Sequence, residues 1–434
     1  MSHQSILRIT RELSDLQKGN DLSVTYDESD IRDVKALIVG PPCTPYEFGF
    51  FEFSVKFPQD YPANPPKVTA LTTNAGRCRF APNIYANGKV CLTWQGEKGE
   101  EWSSAQGLES VLISIQSLMS SNPYENEPGY EVATDDPETQ RDMADYIAKI
   151  KHETLRLAVL QPLEESLKIV PGSKIETSEG GVAMEDDEEV ERESYQSFDD
   201  LRKRRLLWYY DSYMHTIDVE SEKVEKGQLF KEMPFEMTSN QMPGRFDYPD
   251  LKTRLMTTKD QIMKETMRWT IEGLQAKKDD LSIASNLSLQ YQQILEDFNG
   301  RKYFSLDLSL VDDNPFAWDA TNFGRPGTHL DGGVFNIKIH LSPRFPQEQP
   351  RVFFKTPIFH HHVSKDGMLC YHTDRPGEMK HHIETIVRTI EEEAPPFDPR
   401  TTVNLEATKL FWGTPDQRKK YHRALRRSVE DSSI

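Results

Sequence analysis

A segment of the first half of the chain recurs in the second half, and this repeat restricts the possible folds more than any other feature of the sequence. Residues 44–68 align with residues 328–352 at a constant offset of 284. The few identities that remain include Gly49 with Gly333, Phe51 with Phe335 and Pro62 with Pro346. Each copy carries a Gly-Pro-rich turn, a β-rich hairpin, a proline turn and a further strand, in that order. The repeat predicts a duplicated fold, for which 434 residues suffice.

Local patterns around the first copy predict a mixed α+β fold. Residues 4–18 place apolar side chains at helical spacing, which indicates an amphipathic helix. Extended runs follow at 34–39, 48–57 and 68–72. The proline-rich run at 61–66 is neither helix nor central strand, because adjacent prolines remove N–H donors and fix φ. After Trp102 the pattern becomes helical, over 108–118 and again over 137–169.

Composition divides the chain into four predicted regions. Residues 1–170 form a first domain and residues 282–434 a second, divergent copy. Between them, 171–193 includes the acidic run at 185–189 and predicts a solvated flexible linker, because like charges at that density repel and bury no apolar area. Residues 194–281 predict a helical extension that carries a cluster of tryptophan and tyrosine side chains.

The charge balance limits the classes of partner. A net charge of −18 and a pI near 5.2 argue against unaided binding of nucleic acid or anionic membranes, because phosphates would be repelled. No apolar run is long enough for a membrane span, and the N-terminus lacks the pattern of a secretory signal. The four cysteines lack paired spacing, which favours a reducing compartment. We therefore expect a cytoplasmic or nuclear protein.

One cysteine stands in a context that suggests chemistry. Cys91 lies three residues after Gly88, and the pair Asn87-Gly88 predicts a tight turn because both residues tolerate positive φ. Alone, a single cysteine is more often a small buried hydrophobe than a nucleophile. The residues on either side of Cys91 decide between these two interpretations.

Those flanking motifs resemble the ubiquitin-conjugating enzyme family. Pro82-Asn83 precedes Cys91 by eight residues, and Trp102 with the serines after it precedes a helix. The family's other motifs occur in the expected order: the turn at 40–47, the run at 57–68, the helix at 111–119 and the segment at 122–129. The resemblance covers about residues 5–270 and is greatest to class Z members. It implies a domain in which helices flank a four-stranded antiparallel meander sheet.

The resemblance also implies a transthiolation reaction. An activating enzyme would transfer ubiquitin, or a ubiquitin-like modifier, to the Cys91 sulfur, and a substrate lysine, alone or with a ligase, would attack the resulting thioester. Asn83 either braces the loop or donates an amide N–H to the developing oxyanion. Glu127, with Glu125 as second candidate, is either the acid that orients the incoming lysine or ordinary surface charge. No cofactor is implied.

The second copy keeps a cysteine, Cys370, at the same distance from an Asp-Gly turn. His362 stands in the place of Asn83, and Asp398 in the place of the acid near the acceptor lysine. A neutral imidazole has one N–H and could donate it to an oxyanion. Cys370 therefore either carries a modifier or belongs to a degenerate copy that only binds.

Two other functions are compatible with parts of this sequence. Residues 360–362 are histidines, and with Cys370 and His372 they supply the atoms that zinc prefers. Consecutive side chains of an extended strand face opposite ways, which disfavours a shared metal ion. The alternative from a different class is a noncatalytic ubiquitin-binding scaffold, and a cysteine kept in register in both copies argues against it.

Overall fold

The computed structural model describes residues 3–16, 21–27, 29–92, 101–130, 136–169, 198–237, 241–279, 281–301 and 305–433. The predicted linker at 171–193 lies outside these residues, as does the loop at 93–100. The chain forms two compact units: unit 1 contains Met1–Arg202 and Ile217–Thr258, and unit 2 contains Lys203–Thr216 and Lys259–Ile434. The predicted helical extension is thus divided between the two units.

Unit 1 is built on the predicted meander sheet. Its strands pair antiparallel in sequence order and are β1 (Leu22–Asp27), β2 (Asp30–Val39), β3 (Phe50–Lys56) and β4 (Lys67–Ala70). Val55 of β3 pairs with Val34 of β2 and with Val68 of β4, and all three side chains are buried. Because alternate residues of a strand face opposite sides, this register places one apolar face of the sheet on the core.

Helices cover that sheet. They are α1 (His3–Leu16), α2 (Leu108–Leu118), a 3₁₀ turn (Pro123–Asn126), α3 (Pro137–Glu153), a π-helical stretch (Thr154–Leu160) and α4 (Gln161–Ser166). The helix α1 buries Ile9, Leu13 and Leu16, which recur at helical spacing on one face. Side chains of the extension also enter the core of unit 1, namely Met233, Phe235 and Met242.

Two long helices contribute residues to both units: α5 (Asp199–Ser221) and α6 (Tyr248–Asp279). Unit 2 continues with α7 (Leu281–Arg301), β5 (Leu306–Val311), β6 (Asn314–Phe323), β7 (Val334–His340), β8 (Arg351–Phe354), α8 (Met379–Glu391), α9 (Leu405–Phe411) and α10 (Pro415–Asp431). None of the helices in the described ranges is long and apolar enough to cross a lipid bilayer.

The sheet of unit 2 repeats the sheet of unit 1. Its four strands pair antiparallel in the order β5-β6-β7-β8. Ile339 pairs with Trp318 and with Val352. At the offset of 284 found in the sequence, Trp318, Ile339 and Val352 correspond in that order to Val34, Val55 and Val68. The predicted duplication of an α+β fold is therefore confirmed.

Candidate active site

In unit 1 the segment after β4 folds into a small hairpin that ends at Cys91. The N–H of Gly88 donates to the carbonyl of Tyr85 at 3.0 Å, and the N–H of Ala70 donates to the carbonyl of Gly88 at 2.8 Å. Gly88 has a φ of 88°, and a Cβ there would lie 2.8 Å from the carbonyl oxygen of Ala70. Only glycine meets both requirements, so the predicted Asn-Gly turn fixes the hairpin against the sheet.

The hairpin brings Cys91 and Asn83 together. The N–H of Cys91 donates to the backbone carbonyl of Asn83 at 2.8 Å, and the Cys91 side chain is partly exposed. Within the described residues the Asn83 side chain makes no hydrogen bond, and its Oδ1 is buried. Of the two predicted roles for this amide, bracing its own loop therefore has no contact to support it.

Glu127 is held by an arginine that the sequence did not single out. Arg79 has 4% of its side chain exposed, and its Nη2 donates to Glu127 Oε2 at 3.0 Å. The same Nη2 donates to the carbonyl oxygen of Pro82 at 2.6 Å, one residue before Asn83. The structure thus connects Glu127 to the hairpin through Arg79, whereas Glu125 accepts from Asn122 at 2.8 Å. No sequence periodicity marks Arg79, because its partners come from separate segments.

A second polar network positions the segment that follows the loop. Glu12 on α1 accepts from the Tyr61 hydroxyl at 2.7 Å and from the N–H of Leu108 at 2.9 Å. Arg8 donates to Glu12 and also to the carbonyl of Ser104, at 2.6 Å. Hydrogen bonds to ionised groups are stronger than those between neutral groups, so this network holds the start of α2 on the first helix.

Unit 2 contains the same hairpin around Cys370. The N–H of Cys370 donates to the carbonyl of His362 at 2.9 Å, and the N–H of Phe354 donates to the carbonyl of Gly367 at 2.8 Å. Gly367 has a φ of 84°, as the matching turn of unit 1 requires. The backbone that presents the cysteine is therefore conserved between the two units.

The environment of the Cys370 sulfur differs from that of Cys91. Cys370 is fully buried, and burial raises the pKa of its thiol to about 12. Residues of α5 that belong to unit 2 pack beside it. Tyr209 donates to the carbonyl of Arg400 at 2.9 Å, and the ring of Trp208 meets the ring of His372 edge to face at 5.1 Å. The thiolate is the nucleophilic form of cysteine, so this site disfavours attack by Cys370.

The predicted partners of Cys370 are committed to other contacts. Burial lowers the pKa of His362, so the ring is neutral, and its Nδ1 lies 2.7 Å from the carbonyl oxygen of Thr401. A carbonyl only accepts, so the single N–H of the ring is used there, and this geometry argues against the predicted oxyanion donor. Burial alone would raise the pKa of Asp398, but hydrogen bonds from Arg400 at 2.7 Å lower it. The predicted lysine-orienting carboxylate is thus paired with an arginine.

The consecutive histidines point to separate partners. His361 Nδ1 lies 3.0 Å from the Tyr421 hydroxyl, whereas His360 Nδ1 accepts from the N–H of His362 at 3.2 Å. Among the described residues, no group of three or more histidine, cysteine or acidic side chains is arranged to hold a metal ion.

Two four-stranded meander sheets, each followed by a hairpin that ends in a cysteine, define a class of protein. The profile of a family described as "ubiquitin-conjugating enzyme" matches this chain at residues 8–153 and 291–426, which together are more than half of its length. The chain therefore belongs to the ubiquitin-conjugating enzyme family, a class of transferases, and carries the family domain twice.

Particular relatives share the name ubiquitin-conjugating enzyme E2 Z, which confirms the class Z resemblance. The Xenopus tropicalis protein is 35% identical over 274 residues, which cover 62% of this chain and 76% of the relative. The Danio rerio protein is 38% identical over 268 residues, covering 61% and 70%. Among solved structures, the E2 domain of a Toxoplasma gondii ubiquitin conjugating enzyme has 31% identity and a TM-score of 0.28, covering 35% of this chain and 99% of that one.

Proposed function

We propose that this protein accepts ubiquitin, or a ubiquitin-like modifier, as a thioester on Cys91 and passes it to a lysine or to a ligase. The observation that supports this proposal most directly is the partly exposed Cys91 thiol, which lies at the end of the hairpin beside Asn83. Family membership implies, in general, an activating enzyme and ligases as partners. We place the reaction in the cytoplasm or nucleus, where thiols stay reduced.

The proposed reaction has two acyl transfers. The Cys91 thiolate attacks the thioester carbonyl on the activating enzyme and expels that enzyme's cysteine as a thiolate. A neutral lysine amine then attacks the Cys91 thioester, the C–S bond breaks and an amide forms, and the amine's extra proton leaves to solvent or base. Asn83 donates its amide N–H to the oxyanion, a contribution of roughly 10²–10³ in rate. Glu127 is placed beside the hairpin by Arg79.

Cys370 is not charged in this proposal. Its sulfur is fully buried, and the raised pKa keeps it as a thiol. An attacking thiol must reach the carbonyl of another protein's thioester, so a covered sulfur reacts slowly whatever the shape of its loop. Unit 2 keeps the family fold without a working nucleophile.

A charging assay tests both statements. The wild type is incubated with an activating enzyme, ATP and ubiquitin, beside Cys91→Ser, Cys91→Ala and Cys370→Ser variants, with Cys43→Ser as the control for an exposed thiol elsewhere. We expect adducts cleaved by reductant on the wild type and on the Cys370 and Cys43 variants. Cys91→Ser should give an adduct that resists reductant, and Cys91→Ala none.

Two outcomes would overturn the proposal. A reducible adduct on Cys91→Ala would assign the chemistry to another cysteine. No adduct on any chain, with ubiquitin or with ubiquitin-like modifiers and their activating enzymes, would favour the noncatalytic binding scaffold.

A further inference from the structure

Phe235 is one of the side chains of the extension that enter the core of unit 1. Its ring lies 5.2 Å from that of Tyr124, 5.4 Å from that of Tyr130 and 5.4 Å from that of Tyr146, each edge to face. Aromatic rings in this geometry attract one another in addition to the gain from the apolar area they bury. Phe235 is therefore held firmly among residues of the 3₁₀ turn region and α3.

Polar contacts on both sides of Phe235 fix the extension to α3. Glu236 accepts from the fully buried Lys149 at 2.5 Å, and its second oxygen accepts from the N–H of Met233 at 3.1 Å. Further along, the N–H of Asp247 donates to Nε2 of the buried His152 at 3.0 Å. A buried charge is costly unless it is paired, so these contacts define one position for the segment.

That position brings Phe235 to the arginine beside the hairpin. The guanidinium of Arg79 lies 5.8 Å from the ring centre of Phe235 and 4.7 Å from that of Tyr85, a hairpin residue. The same guanidinium donates to the carbonyl of Pro82 and to Glu127. A planar guanidinium in contact with aromatic rings and bound to two oxygens has little freedom to rotate.

We infer that Phe235, within the extension, is a positioning residue of the Cys91 site: it holds Arg79 so that the hairpin and Glu127 keep their relative placement. This inference rests on the proposed function, because it gives these side chains a role only if Cys91 carries a modifier as a thioester. Arg79 acts through Pro82 and Glu127, and Phe235 acts through Arg79, so both are positioning residues that touch no reacting atom. The class of chemistry they serve is the attack of an amine on the thioester.

The test is single-turnover discharge of the Cys91 thioester to free lysine, measured over a range of lysine concentrations. Arg79→Lys keeps a charge but loses the planar fork, and Phe235→Leu keeps an apolar side chain but loses the ring. Phe246→Leu is the matched control, because it makes the same chemical change in the same extension beside His152 instead of Arg79. Thermal unfolding midpoints are recorded for every variant.

We expect both test variants to be charged by the activating enzyme and to discharge with a maximal rate lowered by roughly tenfold to a hundredfold, since small misplacements at a reacting centre have effects of that size. Phe246→Leu should lower the unfolding midpoint and leave the maximal rate at the wild-type value. The double variant Arg79→Lys with Phe235→Leu should be no slower than the slower single variant, because both changes break the same connection.

Discharge of Phe235→Leu and Arg79→Lys at the wild-type rate would overturn the inference and leave the proposed function intact. An equal loss of rate in Phe235→Leu and Phe246→Leu would also overturn it, because the effect would then be one of stability alone. A wild-type chain that takes no modifier would instead refute the proposed function, and the inference with it.

Discussion

The backbone N–H of Cys91 donates to the carbonyl oxygen of Asn83 at 2.8 Å. The N–H of Cys370 makes the equivalent bond to His362 at 2.9 Å. One hairpin backbone therefore presents a partly exposed thiol in unit 1 and a fully buried thiol in unit 2. The difference in reactivity between the two cysteines is expected to come from what covers the sulfur, and the first two predictions test this.

Alkylation should separate the four cysteines of the native chain. Cys43 is exposed and Cys91 partly exposed, whereas Cys78 and Cys370 are buried. At pH 8 a thiol with a pKa of about 12 is ionised to only about one part in 10⁴, and a buried sulfur is also shielded from reagent. We expect iodoacetamide to label Cys43 and Cys91 first, as measured by peptide mass spectrometry. All four should label in guanidinium. Native labelling of Cys370 as fast as Cys91 would contradict the buried geometry.

The raised pKa of Cys370 also predicts an alkaline loss of stability. A thiol whose folded pKa is raised contributes stability below its unfolded pKa, near 9, and this contribution is lost as the pH rises toward 12. The advantage of the wild type over Cys370→Ala in free energy of unfolding should therefore shrink by about 1 kcal/mol between pH 8 and pH 10. Urea unfolding at the two pH values measures it, and an unchanged difference would argue that the sulfur is solvated.

Gly88 should tolerate no side chain. Gly88→Ala combines a left-handed backbone with a Cβ 2.8 Å from the carbonyl oxygen of Ala70. Gly129→Ala is the matched control, with a φ of 91° and no atom within 4 Å of the added Cβ. We expect the free energy of unfolding to fall by roughly 2–4 kcal/mol for Gly88→Ala and by about 1 kcal/mol for the control. Equal losses in denaturant titrations would show that the hairpin can move away from β4.

The buried pair Lys149–Glu236 predicts a strong asymmetry between single and double variants. Burial lowers the pKa of Lys149, yet Glu236 lies 2.5 Å away and stabilises its charge. Lys149→Met leaves an uncompensated buried carboxylate and should lower the free energy of unfolding by about 3–5 kcal/mol. Adding Glu236→Leu should restore most of that loss. A double variant as unstable as the single one would mean that packing, and not charge, is what the pair provides.

Much of the fold could be predicted from the sequence. The strands at 34–39 and 48–57 have a local signature, because β-branched and aromatic residues are enriched there. The Asn-Gly turn has one too, because both residues tolerate positive φ. β1 (Leu22–Asp27) lies outside the predicted strands, although Leu22, Val24 and Tyr26 alternate with polar residues as in a half-buried strand. What its six residues do not show is the partner, since β1 pairs with β2 through a tertiary contact.

The site was predictable only where it is local. Cys91, Asn83 and the turn between them lie in one short hairpin, so the sequence brings them together. Arg79 was missed because its partners, Glu127 and Phe235, come from later segments of the chain. The burial of Cys370 was missed for the same reason: residues 203–216 pack in unit 2, far ahead of the second repeat in sequence.

Unit 2 contains residues of α5 that precede the second copy in the sequence, so the folded unit and the repeated segment do not coincide. The second copy begins at residue 282, yet Trp208 and Tyr209 contact His372 and Arg400 beside Cys370. The ring of Trp269 on α6 likewise lies 5.0 Å from the guanidinium of Arg351. A chain cut at the start of the repeat would lose these aromatic side chains and expose an apolar surface to water. The second copy is therefore not expected to fold when it is expressed alone, since part of the interior of unit 2 comes from residues 203–216.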